Sequence, residues 1–83
     1  RNAARGAAMK EPLKKRVSLA QQIEEVAREL KLREGVYARK CSTGAMRPAV
    51  AEFHLARMRA VHDTLVWLES HEAEIRRKLG AAA

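Results

Sequence analysis

Between Ser18 and Leu79 the chain carries one strong interruption, Gly44 followed by Pro48, and on both sides of it apolar residues return every three or four positions. That recurrence is the period of an α-helix packed on one side. Two such stretches with one short break leave few compact arrangements, and the simplest is a pair of antiparallel helices. The residue supply agrees. Alanine, leucine, glutamate, arginine and lysine are strong helix formers and dominate here, while proline occurs twice and glycine four times. Runs of β-branched or aromatic residues, which would favour strands, are scarce. We therefore expect an all-α fold: an antiparallel helical hairpin with helices at about 18–43 and 47–79, paired into a four-helix bundle dimer.

Ser18 with Gln21 three residues on has the spacing of a capping box and sets the start of the first helix. Leu19, Ile23, Val26 and Leu30 form its apolar stripe, which Tyr37 and Cys41 continue, and Glu24, Glu25, Arg28, Lys31 and Arg33 form the charged side. Gly35 interrupts this stretch at a cost of about 1 kcal/mol relative to alanine. The stripe beyond it favours continuation, and the alternative is a stop at Glu34 followed by a short second helix. Gly44 suits the left-handed position that closes a helix, and Pro48 suits the first turn of the next.

The second helix carries two apolar stripes. One is Ala51, Leu55, Met58, Val61, Leu65, Leu68, Ile75 and Leu79. The other is Phe53, Ala56, Ala60, Thr64 and Trp67, roughly opposite the first at about 100° per residue. A hairpin can cover only one of them with its own first helix. A chain of 83 residues is also short for a self-sufficient core. Phe53, Ala56, Ala60, Thr64 and Trp67 are therefore the expected oligomer interface, with a dimer favoured and a different protein partner as the alternative occupant. The competing arrangement folds the first helix or the N-terminal arm over this stripe within one chain.

Few residues invite chemistry. His54, His62 and His71 stand eight and nine residues apart, whereas helical metal pairs stand three or four apart, so partly buried or flanking histidines are expected. Cys41 is the single cysteine, which excludes an internal disulfide and fits a reducing cytoplasm. No glycine-rich phosphate loop and no nucleophile–base set is recognisable. No catalytic, cofactor or metal residue is expected, and no apolar run reaches the ~18 residues that a membrane span needs. Arg28, Arg39 and Lys40 invite comparison with the arginine-lined interiors of small all-helical chorismate mutases, but the third helix of such enzymes has no counterpart.

The net charge of +7 is uneven. Residues 9–17 carry Lys10, Lys14, Lys15 and Arg16 against Glu11, and residues 35–47 carry Arg39, Lys40 and Arg47 with no acid. These seven basic residues are the candidate nucleic-acid contacts, although two separated basic ends are a weaker footprint than one continuous stripe. Residues 1–8 lack apolar periodicity and read as a leader before a natural start at Met9, residues 9–17 as a basic arm, 18–79 as the hairpin and 80–83 as a tail.

Several local patterns resemble a group of short, uncharacterised proteins encoded by bacteriophages and prophages. They are Glu29-Leu30 with Arg33, Val36-Tyr37, Gly44 with Met46, then Ala51, Met58, Ala60-Val61 and the block Thr64-Leu65-Val66-Trp67-Leu68. The resemblance covers residues 21–69 and departs from the group at Arg47-Pro48, where a Ser or Thr cap is more usual. It implies a phage or prophage origin and a compact helical protein, and it brings no activity or site residues with it.

Overall fold

The structure is a computed structural model that describes residues 16–82. It is a hairpin of two helices, α1 (Leu19–Ser42) and α2 (Pro48–Ala82). Residues 1–8 and all of the basic arm before Arg16 lie outside the described residues.

The start of α1 is a complete capping box. The Gln21 amide donates to Ser18 Oγ at 3.1 Å, and the Ser18 amide donates to Gln21 Oε1 at 2.9 Å. Two amides that helix geometry leaves unpaired are thereby satisfied. The helix runs without a break through Gly35, as the stripe of Tyr37 and Cys41 requires; both are half-buried.

Its end is closed by backbone bonds, with Ser42 Oγ donating to the Arg39 carbonyl and Thr43 Oγ1 to the Lys40 carbonyl. Thr43 is the C-cap, and Gly44 follows with φ +81°. The Ala45 amide donates to the Lys40 carbonyl at 2.8 Å and the Gly44 amide to the Cys41 carbonyl at 3.1 Å. This pair of bonds is the Schellman pattern, and it depends on a residue that tolerates positive φ. Gly44→Ala is expected to lower stability by about 1–2 kcal/mol. Nothing lies within 4 Å of the added Cβ, so the loss comes from backbone strain. A thermal melt followed by circular dichroism checks this, and an unchanged midpoint would contradict it.

Pro48 opens α2 where its missing amide costs nothing, while the Val50 and Ala51 amides donate to the Arg47 carbonyl. The expected end at Leu79 is passed. The helix continues through Gly80 to Ala82, so three residues anticipated as tail are helical. A lone glycine costs about 1 kcal/mol, and the strong helix former alanine follows it.

The shared core sits beside the turn. Ala51 and Leu55 are 7% and 8% exposed, and they are the buried apolar residues among those described. Farther from the turn the facing stripes, Leu19, Ile23, Val26 and Leu30 on α1 with Met58, Leu65, Leu68 and Ile75 on α2, are only half-buried. Arg59 spans the helices to Glu34 at 3.6 Å and also holds Glu52 at 3.1 Å. Both pairs are solvent-exposed, so each is worth at most about 1 kcal/mol.

Candidate interaction surface

The helices meet through the first stripe of α2, of which Val61 and Leu79 nevertheless stay exposed, and the second stripe is left uncovered. Phe53 and Trp67 are each 54% exposed, and Ala56, Ala60 and Thr64 between them are exposed as well. All five anticipated interface residues therefore stand on the side of α2 that α1 does not cover. The arrangement in which α1 folds over this stripe does not occur.

Both aromatic rings are braced by neighbours one turn away. The Arg57 guanidinium lies over the Phe53 ring, 4.9 Å from its centroid. His71 stacks on Trp67 with centroids 4.1 Å apart and planes at 22°. The same imidazole is held from below, with Nδ1 2.8 Å from the Trp67 carbonyl oxygen and 3.1 Å from Ser70 Oγ. Rings fixed in this way lose less side-chain freedom when a partner covers them.

A second apolar feature was not singled out from the periodicity. Toward the open end of the hairpin the helices are separated by two grooves. One, of about 940 Å³, is lined by Val17, Leu19, Leu68, Ile75 and Leu79 together with Arg16, Glu72 and Arg76. The other, of about 700 Å³, runs past Val17, Gln22, Val26, Val61 and Leu65. Periodicity assigns Leu19, Val26, Val61, Leu65, Leu68, Ile75 and Leu79 to the inner side, but it carries no information on how closely the helices approach. Val17, read as part of the arm, is in fact a wall of both grooves.

The basic candidates do not converge. Arg39, Lys40 and Arg47 are exposed around the turn, and Arg16 lies at the opposite end of the hairpin. Lys10, Lys14 and Lys15 lie outside the described residues. Arg28 is exposed and paired with Glu25, so within one chain Arg28 and Arg39 do not line an interior. Arg33 is hydrogen-bonded to Glu29 at 2.9 Å, and that bond pushes its pKa above the ordinary arginine value.

The histidines stay apart. His54 tilts toward Tyr37 across the helix pair at 6.4 Å, and Nδ1 of half-buried His62 is 4.0 Å from Asp63 Oδ1. Among the described residues no group of three His, Cys, Asp or Glu side chains is placed to hold a metal ion. Cys41 is half-buried and unbonded. Among the described residues no helix is long and apolar enough to cross a membrane.

No protein family, curated protein or solved structure matches the chain.

Proposed function

We propose that this chain is a non-enzymatic helical interaction module that works as a homo-oligomer, a dimer first of all, within a reducing bacterial cytoplasm. The phage or prophage setting implied by its sequence resemblance belongs to the same proposal. The observation that carries it is the exposed Phe53–Ala60–Trp67 stripe. Two large aromatic side chains on one line, with small residues between them, make an apolar strip on a helix that already has its hairpin contact on the other side. Aromatic anchors of this kind concentrate binding energy in protein interfaces.

Light scattering behind size exclusion tests the proposal. The expected mass is twice the 9.3 kDa of one chain. Trp67 is the sole tryptophan, so its emission should move to longer wavelength as dilution separates the chains. A single-chain mass at all accessible concentrations would end the proposal.

A second reading draws on the exposed Arg39, Lys40 and Arg47 at the turn. Under it the chain is a nucleic-acid-associated accessory protein. Three phosphate contacts there would make affinity fall about 40-fold between 50 and 200 mM salt. Absence of any DNA or RNA retardation at low salt would remove this reading.

A further inference from the structure

The tryptophan end of the exposed strip carries a titratable group. His71 lies one turn beyond Trp67, half-buried, and stacks on the indole. Its Nδ1 is 2.8 Å from the Trp67 carbonyl oxygen, which only accepts, so Nδ1 carries the hydrogen of the neutral ring. A second proton therefore goes to Nε2, on the far side of the ring from that backbone bond. Nε2 makes no hydrogen bond among the described residues.

No carboxylate stands ready to neutralise the resulting imidazolium. Glu74, three residues on and so a neighbour on the helix, is held by Lys78 at 3.5 Å. Glu72 is bound to Arg76 and lines the larger groove together with Arg16. Across that groove stands the first turn of α1, which holds no acid. The acids of α1 begin one turn later with Glu24 and Glu25, and Glu25 is paired with Arg28. His71 itself enters no ion pair among the described residues.

A proton at His71 thus adds net charge beside Trp67, and two effects then oppose coverage of the strip. Water must leave the ring edge when a partner covers the indole, and a dehydrated cation is costly where a neutral imidazole is not. The cation is also drawn to the indole face on which it lies, which holds Trp67 against its own helix.

We propose that His71 is an acid-sensitive release for the Phe53–Trp67 strip. Neutral, it leaves the strip open to a second copy of this chain; protonated, it separates the two. This rests on the self-association proposed above. Separate chains take up the proton more readily than the pair does. Association is therefore at full strength above the histidine range, about pH 6.5, and weakens as pH falls through it.

Sedimentation equilibrium of the full chain at about pH 7.5 and about pH 5.5 tests the release, since carboxylates stay ionised across that interval. Kd should rise on the order of tenfold in acid. His71→Gln cannot take the proton and should remove the dependence, while the double variant His54→Gln with His62→Gln should keep it. Trp67 emission gives a readout on separated chains. A stacked imidazolium quenches an indole, so emission of dilute protein should fall through the same interval and stay level in His71→Gln. Level emission in the unaltered chain would overturn the stack on which the release depends. A pair equally strong at both pH values would overturn the release and leave self-association standing. A pH dependence that survives His71→Gln would overturn the assignment to His71. A single-chain mass at both pH values would overturn the self-association, and the release with it.

Discussion

Trp67→Ala is expected to weaken self-association by about 2 kcal/mol or more, an increase in Kd of about thirtyfold. The physical reason is the ring's position. It contributes little to the hairpin, being more than half exposed, and it is braced against His71 on the face turned from α1. Its removal therefore costs the partner contact and leaves the fold in place. Alanine is also the better helix former, so helicity at low concentration should hold or rise. Val66→Ala is the matched comparison. Val66 is adjacent in sequence and also exposed, but it lies off the stripe. Sedimentation equilibrium on both variants separates the cases. Equal weakening by both would mean general hydrophobicity and not this stripe, and no weakening by Trp67→Ala would remove the ring from the interface.

Leu55→Ala should act through the fold. Truncating a buried leucine costs about 2–5 kcal/mol, from lost transfer energy and the space left behind. Most domains have only about 5–15 kcal/mol in total, and a two-helix hairpin has little to spare. Leu55 is one of two buried apolar residues among those described, so no other packed layer compensates. The expected result is loss of a cooperative thermal transition at low protein concentration, with partial recovery as concentration rises and association draws the chain into its folded form. Leu79→Ala, at a strongly exposed site, should change stability by less than about 0.5 kcal/mol. Circular dichroism melts at two concentrations check both variants. An unaltered melt for Leu55→Ala would mean that the helices are not held together at this point.

Much of the fold was legible because local chemistry decided it. The Ser18–Gln21 box and the positive φ of Gly44 each depend on one or two residues whose preferences are strong, and both stand where the sequence placed them. The exposure of Phe53 and Trp67 followed from angular arithmetic alone. The grooves were not legible, because two helices with the same stripes can pack tightly or stand apart. That separation depends on side-chain volumes summed over both helices. The continuation of α2 past Gly80 was missed for a different reason. A glycine marks a helix end only when the backbone needs positive φ there, and Gly80 does not adopt it. The bracing of Phe53 by Arg57 was within reach, since a spacing of four residues puts one side chain over the other.

The placement of Ala51 and Leu55 beside a turn closed by its own backbone makes the hairpin a zipper with one fastened end. Separation should begin where Leu19 faces the distal part of α2 and advance toward the turn, each step releasing only half-buried side chains until Leu55 is reached. Amide hydrogen exchange should therefore be graded: slowest near Leu55 and fastest toward Leu19 and Ile75. Such a molecule can open its far end without surrendering its hairpin.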